Sequence, residues 1–258
     1  MGKTLLLILL LASVTANAAT WRTYPLPSGG AVLLDVPAAW KDEIRQKDPK
    51  FAATIVLRPN QGKKFEVLLT PIPARGDRPP TMADVEASLL KSGAKHLATA
   101  RQESIVLEKL EGEQASGRYY RLTEKETPPD EYPNVIGGGL VVGPLIAGFT
   151  ILSHEIDGDD AREALRVLQS ARFLSGQVGI YRGTFENLRL NVVLAAAAGF
   201  KTNPLIVKDT IYKVELDDFL MEAEAVDGDT IRIRVDGKDL DKARDLLAAL
   251  TTGFLRVR

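Results

Sequence analysis

The sequence predicts an α+β protein: an antiparallel β-sheet with helices packed on its faces, followed by a smaller C-terminal α+β unit. Three observations favour this class. Many short segments are rich in β-branched and apolar residues and are bounded by Gly or Pro, as strands are. Only a few segments place apolar residues at the three- and four-residue spacing of an amphipathic helix. Strands come in groups with helices after them, which is typical of α+β folds.

The first eighteen residues match a cleavable secretory signal. A basic start at Lys3 precedes an apolar stretch of roughly ten residues over 4–12. A membrane-spanning helix needs about 20 apolar residues, and polar residues end this stretch earlier. Small residues stand on both sides of Asn17, so we expect cleavage between Ala18 and Ala19. The mature protein would then be exported, with no stable membrane anchor.

Composition limits the cellular compartments and the classes of partner that suit this chain. The chain has no cysteine, so an ordinary hydrophobic core must stabilise it, and a periplasmic or secreted bacterial protein is favoured over an animal extracellular one. Lys and Arg total 33 against 34 Asp and Glu, with both signs interleaved along the chain. Nucleic-acid binding is disfavoured because its affinity comes largely from clustered basic residues.

The mature chain begins with short strands and one helix. Residues 31–37 read as a strand that follows two glycines and ends at a proline. Residues 38–46 are predicted to form a short helix around Trp40. Two further strands, 51–58 and 65–72, flank a turn that contains Pro and Gly.

A longer helix is expected after a loop at 75–80. Thr81 and Asp84 have the spacing of a capping box, which begins a helix. This helix is predicted to run to about Ser92 and to be closed by Gly93. Its apolar face is formed by Met82, Val85 and Leu89.

From residue 104 the pattern changes to consecutive strands. They are predicted at 105–110, 117–124, 135–142 and 146–156. An amphipathic helix follows at 159–172. Its apolar stripe consists of Ala161, Ala164, Leu165, Leu168 and Ala171.

Four of these features resemble PsbP-like domains and their bacterial exported relatives. They are the turn at 34–40, the strand at 117–122, the strand at 149–152 and the closing helix that leads to Phe173. The resemblance covers about residues 21–174. It implies an α/β/α sandwich with a central antiparallel sheet, used in that family for docking on larger assemblies and not known as an enzyme scaffold.

Residues 175–177 are predicted to separate a first domain, 19–175, from a smaller unit, 176–258. Within that unit, residues 186–198 leave two alternatives open. Alternating apolar residues favour a strand, whereas the alanine run favours a helix.

The rest of the small unit reads more clearly. Strands are expected at 209–216 and 230–235, the second after the turn pair Asp227-Gly228. A helix is expected over 240–251. Its inward face is assigned to Leu240, Ala243, Leu246, Leu247 and Leu250.

Two segments share one order of elements. Residues 149–174 and 230–255 each read strand, Asp-Gly, helix, Phe-Leu, which would fit a degenerate, truncated repeat. Strand, turn and helix form a common unit and only dipeptides match, so we favour the view that the similarity is incidental.

No catalytic, cofactor-binding or metal-binding constellation stands out, and we expect no cofactor. Of the two histidines, His96 follows a helix end, where a structural role is expected. His154 falls on the predicted strand face of Leu152 and Ile156, which favours a core or interface histidine. No Gly-x-Ser-x-Gly elbow or cysteine nucleophile is present. A zinc site would need both histidines and carboxylates from distant segments.

The glycines of residues 137–143 superficially match a dinucleotide-binding loop. Pro144 comes too soon for a helix that would carry the anion, so the required context is missing. A loop or bulge between two strands is the better interpretation.

Acidic residues cluster twice. The carboxylates of residues 157–160 lie at a turn where calcium could bind, but the calcium-loop spacing is absent. Helix capping by Asp159 or Asp160 is the stronger explanation. The acidic residues over 215–224 read as a solvated face. Paired carboxylates of a glycosidase converge in space, so spacing does not test them.

These observations favour an exported, non-enzymatic binding or accessory module with an envelope protein as partner. One alternative is an envelope hydrolase that uses carboxylates or His154 in a cleft between the two units. A small-molecule carrier would require a sizeable apolar cavity. A carboxylate within hydrogen-bond reach of His154 in a pocket would support the hydrolase.

Overall fold

The computed structural model describes residues 19–48, 51–62, 65–74, 78–208 and 210–257. The predicted signal and Ala18 lie outside these ranges, and Ala19 opens the first strand. The described residues form three antiparallel sheets and four helices, which confirms the α+β class. None of those four helices has the length and apolar character that a membrane crossing requires.

The first unit contains ten strands and two helices. In chain order they are β1 (Ala19–Pro25), β2 (Ala31–Pro37), β3 (Trp40–Arg45), β4 (Thr54–Pro59), β5 (Phe65–Pro73), α1 (Met82–Ala94), β6 (Glu108–Glu111), β7 (Ala115–Thr123), β8 (Asn134–Val142), β9 (Leu145–Ser153), α2 (Asp159–Gln169) and β10 (Arg172–Leu174). A seven-stranded sheet has the order β3-β4-β5-β9-β8-β7-β6, and a three-stranded sheet has the order β1-β2-β10.

The second unit contains six strands and two helices. They are β11 (Gln177–Arg182), α3 (Phe185–Ala197), β12 (Thr202–Val207), β13 (Ile211–Leu216), β14 (Phe219–Asp227), β15 (Thr230–Asp236), α4 (Leu240–Leu250) and β16 (Leu255–Arg256). Their single sheet has the order β12-β13-β14-β15-β11-β16.

Two separate buried clusters lie on the two faces of the seven-stranded sheet. Successive residues of a strand point to opposite faces, and Tyr119 and Tyr120 of β7 belong to different buried clusters. Tyr120 packs with Val85 and Leu89 of α1, whose capping box at Thr81 is confirmed. Tyr119 lies in the larger cluster, which includes the predicted apolar stripe of α2.

The helix predicted over 38–46 is wrong. Residues 40–45 form strand β3, which pairs with β4 from Trp40 opposite Pro59 to Arg45 opposite Thr54. Trp40 is buried against Phe65, with ring centroids 4.6 Å apart. Pairing and burial with distant residues therefore override the local pattern, as they commonly do for strands.

The interpretation of residues 137–143 as a loop or bulge is wrong for its first three glycines. Gly137, Gly138 and Gly139 lie inside β8 in unbroken register with β7 and β9. A Cβ on any of them would come closer than 3.0 Å to a neighbouring side chain, Tyr120, Phe149 and Val85 respectively. The glycines thus let side chains lie directly on the strand. The turn itself is at Gly143, which has φ +55°.

Several predicted boundaries are also corrected. Gly93 does not close α1 but lies buried within it, against Ile105 and Tyr120. The strand predicted over 105–110 is shorter and begins at Glu108. The helix predicted to Arg172 ends at Gln169, because Arg172 pairs with β2.

In the second unit both helices pack on one side of the sheet. The open choice at 186–198 is resolved as α3, capped by the Thr184 side chain. Its Leu188 and Val192 share a core with residues of α4. Leu240, assigned inward, is exposed. The acidic stretch forms parts of β13 and β14, where Met221 and Ala223 alternate with more exposed glutamates.

The two units meet at the three-stranded sheet. Ala31 and Leu33 of β2 pack with Val178 of β11. Arg232 donates a hydrogen bond to the Thr23 hydroxyl at 3.0 Å. Each unit nevertheless has its own main buried cluster. Separate clusters agree with a domain boundary at 175–177, which remains a prediction.

The segments considered as a repeat share their order of elements. Each ends in a short strand that pairs with the first or second strand of its unit, β10 with β2 and β16 with β11. The helices differ in placement, because α3 and α4 contact each other whereas α1 and α2 lie in different clusters. A repeat therefore gains support from topology but not from packing.

Candidate functional site: an apolar groove in the first unit

The strongest candidate site is an apolar groove of about 380 Å³ in the first unit. We call it the apolar groove. Three segments line it: the β1–β2 turn, the chain from the end of β3 to the start of β4, and the end of β5. Its lining includes Leu26, Ile44, Phe51, Pro71, Ile72 and Pro73.

The groove exists because β5 extends beyond its neighbour. β4 pairs with β5 only between Ile55–Leu69 and Leu57–Val67, whereas β9 pairs with β5 as far as Pro73. The last residues of β5 therefore have a strand on one side only. Prolines are tolerated at such positions because they have no N–H to donate to a missing partner.

The β1–β2 turn forms the opposite wall. Gly29 and Gly30 have φ of +93° and +77°, values that glycine adopts readily. The Leu26 N–H donates to the Gly30 carbonyl at 2.9 Å, and the Gly30 N–H donates to the Gly176 carbonyl of the segment between the units. The wall is thus held by the first residues after β10.

Apolar side chains at the groove remain in contact with water. Phe51 is 69% exposed, and Ile44 and Ile72 are each about half exposed. The Gln46 amide donates to the Phe51 carbonyl at 2.8 Å and holds the loop that carries this ring. None of the described lining residues is charged. The groove can therefore bind apolar groups through its described lining.

His154 occupies a different place from the predicted one. β9 ends at Ser153, so His154 lies beyond the strand and is exposed instead of sharing a face with Leu152 and Ile156. Its carbonyl accepts a hydrogen bond from the Asn134 amide at 2.8 Å. Its ring lies 5.0 Å from the Tyr132 ring, centroid to centroid.

The acidic turn beside His154 borders an open depression of about 420 Å³, which Glu155, Asp159 and Asp160 also line. In the part of the chain that the structure describes, no hydrogen bond joins the imidazole to a carboxylate. The expected capping by Asp159 or Asp160 is wrong, because Gly158 is the N-cap and makes no side-chain cap. Both aspartates lie in the first turn, where their charge favours the helix N-terminus.

His96 lies in the turn after α1, as expected, and its backbone N–H donates to the Gly93 carbonyl at 2.9 Å. Together with Ser92 and Tyr120, His96 borders a depression of about 410 Å³ on the face of the seven-stranded sheet where α1 packs. Burial raises the pKa of Tyr120, which keeps this phenol neutral. No described residue that lines the depression is a carboxylate.

A small cleft of about 300 Å³ does lie between the two units. Arg182 and Asp229 line it and form an ion pair at 3.0 Å. Neither histidine is among the described residues that line this cleft. The described ranges also contain no group of three or more His, Asp or Glu arranged to hold a metal ion.

Comparisons with known proteins do not assign a family. No protein-family model and no curated protein matches the sequence. A crystal structure of a Bacteroides thetaiotaomicron VPI-5482 protein at 1.50 Å resolution is similar over 86% of this chain and 94% of that chain, with 8% sequence identity and a TM-score of 0.35. A similarity at this level carries no argument about function.

Proposed function

We propose that this protein is an exported, periplasmic or secreted, non-enzymatic binding module, and that its apolar groove receives an apolar segment of an envelope protein. The observation that carries the proposal is the groove itself, a concave surface with exposed Phe51, Ile44 and Ile72 and without charge on its described lining. Exposed apolar patches on soluble domains commonly mark interaction sites.

The groove also suits an extended polypeptide. Pro71 and Pro73 have no N–H to donate to β9. Ile72, which lies between them and opposite Ile146, therefore forms the backbone hydrogen bonds with β9. The carbonyls of Pro71 and Pro73 then point to the side where β4 has ended. An extended partner could donate its N–H groups to these carbonyls while its side chains fill the groove, as in strand addition.

The size of the groove sets the expected affinity. Fully burying one large apolar side chain contributes about 1.5–3 kcal/mol. Phe51, Ile44 and Ile72 are partly buried before any partner binds. We therefore expect burial of their remaining exposed surface to contribute about 3 kcal/mol to binding, which is roughly a hundredfold in affinity. Association costs several kcal/mol, so we expect a transient complex unless other contacts contribute.

The PsbP-like resemblance belongs to the same proposal. Helices on both faces of the seven-stranded sheet support an α/β/α sandwich over residues 21–174. Docking on a larger assembly, which the resemblance implies, agrees with an accessory role that needs no catalytic group.

The proposal is tested by cross-linking in the native host and recovering the tagged mature protein from the envelope fraction. We expect a reproducible partner with the unmodified protein and with V106D, since Val106 is 70% exposed and outside the groove. We expect I72D to lose that partner, because a carboxylate would have to be buried against apolar groups. Equal recovery with I72D and V106D would refute the groove as the binding site.

A further inference from the structure

Gly148, in the middle of β9, is a glycine that the described fold does not require. Its φ is not positive, and a Cβ there would meet no atom of the described residues within 4 Å. The other described glycines within strands of this sheet are Gly117, Gly137, Gly138 and Gly139. A Cβ on any of them would come closer than 3.0 Å to a neighbouring atom. Glycine inside a strand weakens the strand and often marks a place where a ligand approaches the backbone closely.

Gly148 forms part of the floor of the depression of about 410 Å³ on the face of the sheet where α1 packs. We call it the glycine-floored depression. Helix α1 packs against β7 and β8, and β9 is the next strand of the sheet. Gly148 is partly exposed, whereas the three glycines of β8 are buried. Small-molecule sites commonly have volumes of about 300–1,000 Å³, so this depression is large enough for a small ligand that lies on the backbone of Gly148.

Threonine hydroxyls line the sheet side of the depression. Thr70 lies directly opposite Gly148, and Thr150 lies directly opposite Gly137. Residues that lie directly opposite each other share a face of the sheet. The hydroxyls of Thr54 and Thr70 form a hydrogen bond of 2.7 Å with each other. Three hydroxyl groups therefore stand beside the glycine floor.

The helix side of the depression carries further hydroxyls. Ser88 and Ser92 are four residues apart, so they lie on the same face of α1. The Ser92 hydroxyl donates to the Leu89 carbonyl at 3.2 Å and keeps its lone pairs to accept another hydrogen bond. The Tyr120 phenol and the His96 imidazole complete this side. The depression is thus bordered by hydrogen-bonding groups on both sides of its floor.

The chemistry of the lining selects a class of ligand. The described lining contains no Asp, Glu, Lys or Arg, so it offers no counter-ion to a charged ligand. A hydroxyl both donates and accepts hydrogen bonds, which suits a ligand that itself carries several hydroxyls. Leu68, Leu89 and Phe149 add apolar surface. A sugar ring combines the two properties, because it has C–H groups on its faces and hydroxyls around its rim.

From this match we infer that the glycine-floored depression binds a neutral carbohydrate, with one ring lying flat on Gly148. The hydroxyls of the ring bond with the threonines of the sheet and with the serines of α1. A side chain at residue 148 would occupy the space of the ring, which gives the glycine a role that the fold does not. The depression and the apolar groove share no described lining residue, so the inference does not rest on the proposed protein-binding role.

The test is isothermal titration calorimetry of the mature protein, residues 19–258, with neutral trisaccharides of glucose, mannose, galactose and N-acetylglucosamine. We expect at least one of them to bind with a Kd of about 1 mM or tighter. G148A should weaken this binding about 10-fold, because its methyl group overpacks the space between the ring and the floor. Its melting temperature should not fall, since the added Cβ meets no described atom.

Two further variants locate the sugar. Gly228, in the turn between β14 and β15, also has no positive φ and no described atom within 4 Å of an added Cβ, so G228A should bind like the unmodified protein. S88A removes one exposed hydroxyl from a helix that tolerates alanine well. It should weaken binding about 3- to 10-fold through loss of a hydrogen bond. No binding of any of the four trisaccharides, or equal binding by G148A, S88A and G228A, would overturn the inference.

Discussion

Replacing Gly138 tests how the sheet of the first unit is packed. Gly138 of β8 lies directly opposite Phe149 of β9, and the ring of Phe149 occupies the space that a Cβ at residue 138 would need. Phe149 is buried in the main cluster, so its ring cannot rotate into solvent. We therefore expect G138A to force the ring and its neighbours apart.

The magnitude follows from overpacking. Extra methyl or methylene groups in a well-packed core cost about 1–3 kcal/mol. For a chain of this size, 1 kcal/mol shifts the melting temperature by roughly 2–4 °C. For a cost of about 2 kcal/mol, we expect the melting temperature of G138A, followed by circular dichroism, to lie about 4–8 °C below that of the unmodified protein.

Gly148 provides a matched control on the neighbouring strand. A Cβ there would meet no atom within 4 Å, and its φ is not positive. Alanine restricts the unfolded chain more than glycine does, so G148A should be neutral or raise stability by about 0.4–1 kcal/mol. If G138A and G148A change the melting temperature equally, the proposed role of the glycine in ring packing is wrong.

Three further predictions concern signal cleavage, the pH dependence of stability and the ion pair between β1 and β3. N-terminal sequencing of the exported protein should begin at Ala19; a start several residues away would refute the proposed cleavage site. The Thr81 hydroxyl is the main cause that lowers the pKa of Asp84, so the stabilisation is present at neutral pH and is lost as the pH falls through the folded pKa. D84N should therefore flatten the acid side of the curve of unfolding free energy against pH, and an unchanged curve would contradict this account. R22A should lower the free energy of unfolding in urea by about 2 kcal/mol, because the largely buried Arg22 side chain bonds Asp42 at 2.5 Å and two backbone carbonyls. A change below about 0.5 kcal/mol would refute that role.

Elements with local signals were predictable from sequence. The capping box at Thr81 and Asp84 identifies the start of α1, and its physical basis is a pair of reciprocal hydrogen bonds between nearby residues. The stripe of α2 and the strand at 65–72 likewise follow from their own periodicity. Such signals do not depend on what the rest of the chain does.

Elements that depend on distant partners were not predictable. Residues 40–45 become a strand through pairing with β4 and packing of Trp40 on Phe65. The three glycines of β8 are explained by Tyr120, Phe149 and Val85, which come from other elements. The spacing of residues along the sequence indicates neither the pairing of β3 with β4 nor the contacts of these glycines.

The apolar groove was missed for the same reason. It forms where β5 outlasts β4 and where the β1–β2 turn approaches from another sheet. One local signal was available, since Pro71 and Pro73 within a strand pattern indicate an edge with no partner.

Site-specific photo-cross-linking tests the proposed binding role most directly. A photoreactive phenylalanine analogue would replace Phe51, which is 69% exposed at the groove, and in a control it would replace Val106. After irradiation in the native envelope, mass spectrometry would identify the cross-linked segment. The proposal predicts an adduct at residue 51 only, joined to an apolar, extended segment of one envelope protein and lost in I72D. No adduct at residue 51, or the same adducts from both positions, would contradict it.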